Sequence, residues 1–387
     1  MFFDCARNQR MGFGISDSGP KLWRLLADAM RIVFVLTYPT HHATPDLTEW
    51  LGWDNRDRRM AALLKAMGVD VELWGVRDAP FDRDVAVADL GMLRVRLFPA
   101  SNPDAAPRGQ ISDALVEAAR ADHADLFVLI GSDGAAGVDL HARLLAPGNR
   151  GYAVIIGGTL WHPMLVGARL VLTESSRQEE LLMRPEWRFW RKPIALDHMA
   201  RLPKTIDTTR FAPVANAHKR WDVIAVSRLI PYKSFDAVGA LSRSHRVAVA
   251  GDGPLRFDLR RRFPRIDWLG HVAHADLPAT LARARMFFHA GRKDWFPRAI
   301  PEAMACGLPV AAFHDRIGPD VVPPATGLLV DDRNFESEVA RLLGAPGTLA
   351  AKGRSARAHV VATHGPRSSE AACRRLIEIA RPIGVAR

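Results

Sequence analysis

The sequence predicts an α/β protein with two doubly wound parallel-sheet domains in tandem, facing a central cleft. Short apolar runs typical of buried strands alternate with amphipathic helical stretches through most of the chain. This alternation stops over residues 184–220, which contain four prolines, and then resumes. A chain of 387 residues also has room for two domains of roughly 150 residues each.

In the first half, apolar runs of strand length are separated by stretches of helical periodicity. The predicted strands are Ile32–Thr37, Val69–Trp74, Leu93–Phe98, Leu126–Ile130, Ala153–Ile156 and Leu170–Thr173. The predicted helices are Arg56–Met67, Ser112–Ala121 and Ser176–Met183. Gly68 follows the first of these helices, where a glycine suits the C-terminal cap.

The second half repeats the pattern. Its predicted strands are Val223–Val226, Val247–Ala250, Ile266–Leu269, Met286–His289, Val310–Phe313 and Gly327–Val330. Its predicted helices are Ser234–Leu241, Pro254–Phe263, Asp276–Arg283, Arg298–Cys306 and Phe335–Leu343. A helical region over 352–380 is interrupted near Gly365-Pro366, because proline breaks a helix interior.

These patterns divide the chain into five segments. We predict an N-terminal extension over 1–29, a first domain over 30–200, a linker over 201–220, a second domain over 221–365 and a C-terminal helix over 366–387. The extension has acids and no apolar central region, so it does not resemble a signal peptide, and we expect it to be poorly ordered. No apolar run approaches the roughly 20 residues of a membrane-spanning helix.

Charge and cysteine content narrow the possible partners. The net charge is +11, from 53 Lys and Arg against 42 Asp and Glu, and such a field attracts nucleic acid, anionic lipid or phosphorylated ligands. No nucleic-acid-binding motif is present, so we predict no nucleic-acid partner. Cys5, Cys306 and Cys373 are widely separated and suit neither a disulfide framework nor a zinc site. We therefore expect a reducing, cytoplasmic location.

The segment 294–310 carries the strongest chemical signal. It follows a predicted strand, and a helix is predicted to begin near Pro297 or Arg298. The free N–H groups and positive dipole end of such a helix form an anion site. Asp294 precedes the helix and Glu302 lies about one turn into it. Two carboxylates around a phosphate-binding helix start suit a ligand with a diphosphate and several hydroxyls.

This segment resembles the E-x7-E stretch of GT-B glycosyltransferases, particularly the large retaining family 4. The match from Glu302 to Val310 is close, whereas Asp294 stands where the family usually has Glu, and Trp295 where it commonly has Gly. The resemblance is strong over 190–350 and weak over 30–190. It implies a GT-B fold with an acceptor-binding first domain, a nucleotide-sugar-binding second domain and a C-terminal helix that returns to the first.

The resemblance also implies roles for individual residues of the second domain. Arg228 and Lys233 would clamp the donor diphosphate and neutralise charge on the departing phosphate. Together with Asp294 and His162 they form the predicted catalytic set. The implied donor-binding residues lie in a glycine turn, beside the nucleobase and around the helix start: Gly251, Gly253, His271, Val272, Phe296, Pro297, Arg298 and Glu302.

The sequence gives weaker signals for the acceptor-binding residues of the first domain. His162 follows the predicted strand Ala153–Ile156, and its position is similar to that of a family histidine near the transferred sugar. His41 and His42 follow the first strand, and Glu174 follows Leu170–Thr173. These three are the acceptor-side candidates.

Each of these residues also has an ordinary structural interpretation. Asp294 could cap a helix, and a lone His162 is often a hydrogen-bonded structural histidine. A basic-aromatic cluster precedes the predicted linker and has two equally good interpretations: it contacts an anionic membrane surface, or it packs at the edge between the domains. The cluster consists of Arg184, Trp187, Arg188, Phe189, Trp190, Arg191 and Lys192.

The resemblance implies transfer of a sugar from a UDP- or GDP-linked donor to a hydroxyl of a saccharide or lipid-linked acceptor, with retention, in envelope polysaccharide or glycolipid assembly. No metal or other cofactor is expected, because two cations and a helix start replace the metal of other transferases. A peripheral position on the inner membrane face is compatible with the charge. The alternatives are a phosphosugar synthase-like enzyme with a small soluble acceptor and a weakly active nucleotide-sugar-binding subunit.

Overall fold

The structure is a computed structural model that describes residues 30–381 except 43, 45, 53, 54, 185–190 and 316. The predicted extension Met1–Ala29 lies outside the described residues. So do Trp187, Arg188, Phe189 and Trp190 of the basic-aromatic cluster.

In the described part of the first domain, eight strands form one sheet in the order β3-β4-β2-β1-β5-β6-β7-β8. They are β1 (Arg31–Leu36), β2 (Asp70–Arg77), β3 (Phe81–Ala86), β4 (Met92–Pro99), β5 (Leu126–Ile130), β6 (Tyr152–Ile155), β7 (Leu170–Thr173) and β8 (Met199–Arg201). Every neighbouring pair is parallel except β3 with β4.

Helices cover both faces of this sheet. They are α1 (Leu47–Gly52), α2 (Arg56–Ala66), α3 (Asp113–Ala121), α4 (Ala135–Leu140), which continues into a π-helical turn (His141–Leu145), and α5 (Ser176–Met183). Because successive side chains of a strand point to opposite faces, Ile32 and Phe34 of β1 enter one apolar core while Val33 and Val35 enter the other. Strands that are buried on both faces have continuous apolar sequences, and these runs allowed the strands to be predicted.

The second domain repeats this construction. Over 221–330, apart from residue 316, six parallel strands follow the order β11-β10-β9-β12-β13-β14. They are β9 (Trp221–Val226), β10 (Val247–Ala250), β11 (Asp267–Gly270), β12 (Ala284–His289), β13 (Val310–Phe313) and β14 (Gly327–Val330). The helices are α6 (Phe235–Leu241), α7 (Arg256–Arg262), α8 (Leu277–Ala282), α9 (Ala299–Ala305), α10 (Phe335–Leu343) and α11 (Pro346–His364). The predicted α/β class with two doubly wound domains is confirmed.

The chain crosses between the domains twice. After β8 it passes through Lys204 into the second domain, and after α11 it returns. The last described helix, α12 (Glu370–Ala380), packs in the core of the first domain beside α2, where the Cys373 thiol contacts the Met60 carbonyl. The two crossings meet at His364, whose Nδ1 lies 2.9 Å from the Lys204 carbonyl oxygen.

Two described strands are absent from the sequence prediction. The antiparallel edge strand β3 has the sequence FDRDVA and is mostly exposed, so it lacks an apolar run. The three-residue β8 lies inside the proline-rich stretch. Among the described residues, no helix is both long and apolar enough to cross a membrane.

Candidate active site

A cavity of about 520 Å³ lies between the two domains, at the carboxyl ends of their strands. Ligands of open α/β sheets bind at this position. Its wall consists of Arg108, Gly157, Gly158, Glu174 and Lys204 on one side and Arg228, Tyr232, Lys293, Asp294, Trp295, Phe296 and Pro297 on the other.

The loop that carries Arg228 packs closely against the glycine turn after β10. Gly251 has φ +143°, and a Cβ there would lie 1.9 Å from the Ser227 carbonyl oxygen. A Cβ on Gly253 would lie 2.6 Å from the Leu229 carbonyl oxygen. Only glycine permits this approach. The two predicted glycines therefore shape the Arg228 loop and do not themselves line the cavity.

Arg228, Lys233 and Asp294 form one connected group. An Nη of Arg228 donates to the Tyr232 hydroxyl at 3.2 Å, and the Lys233 ammonium lies 5.3 Å from the Tyr232 ring centre. Lys233 Nζ donates to both carboxylate oxygens of Asp294, at 2.7 and 2.6 Å. Ser234, which stands where the resembled family has glycine, adopts a left-handed conformation with φ +52°. This turn directs Lys233 inward.

Asp294 stays ionised in this setting. Burial alone would raise the pKa of its carboxyl group, but His289 and Lys233 beside it lower that pKa to about 2.

Glu302 lies deeper in the second domain than the cavity wall. Its side chain on α9 is 4% exposed, and one oxygen accepts from Arg298 Nε at 2.8 Å and contacts His274 Nε2 at 2.9 Å. His271 is exposed nearby and Val272 packs at the edge of the core. These donor-side candidates lie around the start of α9, behind the cavity.

Glu174 forms a buried charge cluster on the first-domain side. One of its oxygens accepts from Arg56 Nη1 at 2.6 Å and from Lys204 Nζ. Burial alone would raise the pKa of Glu174, but Lys204 and Arg56 hold it below its usual range. Glu174 therefore presents an ionised carboxylate to the cavity.

Two contacts join the domains, the first of them in the cavity wall. Trp295 Nε1 donates to the Gly158 carbonyl at 3.2 Å. Asp320 of the second domain accepts from both the backbone N–H and the hydroxyl of Ser176, at 2.7 Å each, and pairs with Arg201. Asp320 thereby caps α5 of the first domain.

The candidate histidines lie apart from the cavity wall. His162 Nδ1 accepts from the Met164 amide at 3.3 Å and caps a short 3₁₀ helix (Pro163–Gly167), and burial lowers its pKa. His41 lies 3.6 Å from an Asp78 oxygen, and the ring of His42 stacks on Tyr38.

The structure thus brings five of the predicted residues to one cavity, with Lys233 directly behind it: Arg228, Asp294, Phe296, Pro297 and Glu174. Sequence reasoning missed Lys204, Arg56, His274 and His289. Lys204 is one lysine in an irregular segment, and its role follows only from its contact with Glu174. In the sequence, Trp295 was noted only because the resembled family commonly has glycine at this position. In the described ranges, no three His, Cys, Asp or Glu side chains lie together as a metal site would require.

Comparison with known proteins identifies a matching family and several relatives. Residues 222–345 match the family model described as Glycosyl transferases group 1. The GDP-mannose-dependent alpha-mannosyltransferase of Mycobacterium tuberculosis is 34% identical over 149 residues, which are 35% of this chain and 39% of that protein.

A second relative is the GDP-mannose-dependent monoacylated alpha-(1-6)-phosphatidylinositol monomannoside mannosyltransferase of Corynebacterium glutamicum. It is 31% identical over 194 residues, 42% of this chain and 51% of that protein. The chain thus spans about half or less of the length of these curated relatives.

Solved structures match over nearly the whole chain. The sucrose-phosphate synthase of Thermosynechococcus elongatus has a TM-score of 0.66 at 18% identity and covers 90% of this chain and 98% of its own. Anabaena HepE in complex with UDP and glucose has a TM-score of 0.63 at 15% identity and covers 90% and 99%. At such identities the likeness concerns the fold, and it confirms the predicted GT-B architecture.

Proposed function

We propose that the chain moves a sugar from a nucleotide-sugar to a hydroxyl of a saccharide or lipid-linked acceptor, with retention, because residues 222–345 match the family model of group 1 glycosyl transferases. The observation that carries the proposal is the interdomain cavity. Its second-domain wall holds Arg228, with Lys233 bonded to Asp294 immediately behind. Such cations stabilise charge on a departing nucleoside diphosphate.

The reaction needs no covalent nucleophile from the protein. The acceptor hydroxyl forms the new C–O bond on the face that the phosphate leaves, and its proton passes to the departing phosphate oxygen. Arg228 and Lys233 offset the developing charge, so we propose that no divalent metal is required. Closure of the domains excludes water and aligns the two substrates.

GDP-mannose is the first donor to test. Two relatives that are 34% and 31% identical are named as GDP-mannose-dependent. UDP-linked sugars are the second choice.

The acceptor is proposed to bind against the first-domain wall. The ionised carboxylate of Glu174 faces this part of the cavity and suits a hydroxyl donor. One relative is named as a phosphatidylinositol monomannoside mannosyltransferase, which supports a glycolipid acceptor here. The net charge of +11 supports a cytoplasmic protein held peripherally on an anionic inner membrane face.

The test is a transfer assay with purified protein, GDP-mannose and UDP-sugars, and a panel of glycolipid and soluble saccharide acceptors. Arg228→Ala and Glu302→Ala should each lower turnover by roughly 10²-fold or more. The matched control is Arg261→Ala, since this arginine lies on α7 with its side chain 81% exposed.

The outcomes separate the alternatives. Unchanged turnover in both variants would contradict the proposed donor site. Transfer to small phosphosugars alone would favour the phosphosugar synthase, and donor binding without turnover would favour a binding subunit.

A further inference from the structure

The loop after β12 holds the Asp294 carboxylate between two basic side chains. Lys233 Nζ bonds to both oxygens, at 2.7 and 2.6 Å. His289 Nε2 lies 3.2 Å from Oδ2 on the other side. Both basic residues are buried, His289 to 3% and Lys233 to 9% exposure. The carboxylate of Asp294 is therefore occupied by protein partners.

The space around the carboxylate of residue 294, between Lys233, His289 and Gly291, has the size of an aspartate side chain. A Cβ on Gly291 would lie 2.3 Å from Asp294 Oδ2 and 2.9 Å from His289 Nε2. The backbone of residue 291 thus closes directly over the carboxylate. A glutamate would extend its carboxylate by one methylene, and on the side of residue 291 there is no space for that extension, so the longer carboxylate must shift away from its place beside His289.

Among the residues that the structure describes, the Lys233 ammonium forms hydrogen bonds to Asp294 alone. An ammonium group has three N–H donors, and the two short bonds to Asp294 use two of them. The Tyr232 ring, 5.3 Å from Nζ, flanks the ammonium, and the Tyr232 hydroxyl bonds to Arg228. The third N–H is the donor that remains for a ligand.

Resting on the proposed transfer reaction, we propose that Asp294 and His289 are positioning residues that aim Lys233 at the donor diphosphate. Asp294 orients the ammonium, and His289 fixes Asp294 from behind. In this chain the first acid of the motif therefore serves the leaving group through Lys233 and does not hold the donor sugar.

The decisive variant is Asp294→Glu, which installs the residue usual in the resembled family. The proposal predicts at least a tenfold loss of kcat, because the longer side chain displaces Lys233. A carboxylate that itself held the donor sugar would keep or gain turnover with Glu. Asp315→Glu is the matched control, since Asp315 pairs with Arg292, is not part of the cavity wall and should retain wild-type kcat.

His289 is tested by rescue. His289→Phe removes the nitrogen that faces Asp294, and His289→Gln restores an N–H of similar reach. We expect His289→Phe to lower kcat about tenfold with little change in acceptor KM, and His289→Gln to recover most of it. Equal losses in the two variants, with equal melting temperatures, would show that only packing matters.

Binding gives a readout that does not depend on turnover. Calorimetry compares the nucleoside diphosphate of the active donor with its monophosphate. In His289→Phe and Asp294→Glu the preference for the diphosphate should fall about tenfold, and an unchanged preference in both folded variants overturns the proposal. A wild-type protein that neither transfers sugar nor binds any nucleoside diphosphate would refute the proposed function instead.

Discussion

The buried His364 makes the unfolding free energy of this chain depend on pH. A single substitution at this residue measures its contribution. The ring is 5% exposed, Nδ1–H donates to the Lys204 carbonyl at 2.9 Å, and Phe296 packs edge-on at 5.2 Å. Burial lowers the pKa of His364 to about 4, from 6.5 in an unfolded chain. The folded state therefore holds this histidine neutral at the point where both interdomain crossings meet.

The sign and size of the effect follow from this difference. Because the unfolded chain takes up the proton first as pH falls, the contribution is fully present above pH 6.5 and is lost progressively down to about pH 4. A difference of about 2.5 pKa units corresponds to about 3 kcal/mol of unfolding free energy over that range. At pH 5 the loss is about 2 kcal/mol.

Urea unfolding of the wild type and His364→Asn between pH 7.5 and pH 4.5 measures this contribution. An asparagine side chain keeps an N–H for the Lys204 carbonyl and does not titrate. We expect the unfolding free energy of the wild type to fall about 2 kcal/mol further by pH 5 than that of the variant. Histidines that lie away from His364 are common to both proteins and cancel, and His359, whose ring centre lies 5.9 Å from that of His364, is replaced by Asn in both proteins. Parallel pH curves would refute the reasoning.

Two further predictions concern local conformation. Ser234→Gly should raise the unfolding free energy by about 0.5–1 kcal/mol, because glycine adopts the left-handed conformation of this residue at lower cost; an unchanged melting temperature would contradict this. Asp320→Ala should lower it by about 1–2 kcal/mol in denaturant, since Ser176 loses its capping partner. The exposed Asp332→Ala is the control, and equal losses in both would count against an interdomain role for Asp320.

The positions of the central strands in both sheets lie close to what the sequence predicts, because these strands are buried on both faces. β1 and β5 are continuous apolar runs, and no other element type suits them at that length. β3 escaped prediction because an edge strand with one exposed face carries charges at most positions. β8 has three residues, too few for any periodic signal.

Residues of the site could be predicted where a motif or the strand topology fixes their positions. They could not be predicted where segments that are distant in the sequence come together. Arg228 and Asp294 follow adjacent strands, so their approach to one cavity follows from the topology. The contact of Glu174 with Lys204 joins a strand end to an irregular segment, and no local pattern encodes it. His162 follows a strand too, but several residues of loop carry it away, and the glycines directly after β6 line the cavity instead.

The helix Glu370–Ala380 completes the apolar core of a sheet whose last strand ends at Arg201. During synthesis the ribosome must therefore make the entire second domain before the first can close its interior. At about 5–20 residues per second this delay is on the order of ten seconds. Throughout it, the nascent chain exposes the surface later covered by Leu376 and Ile377, which is the kind of apolar face that chaperones bind.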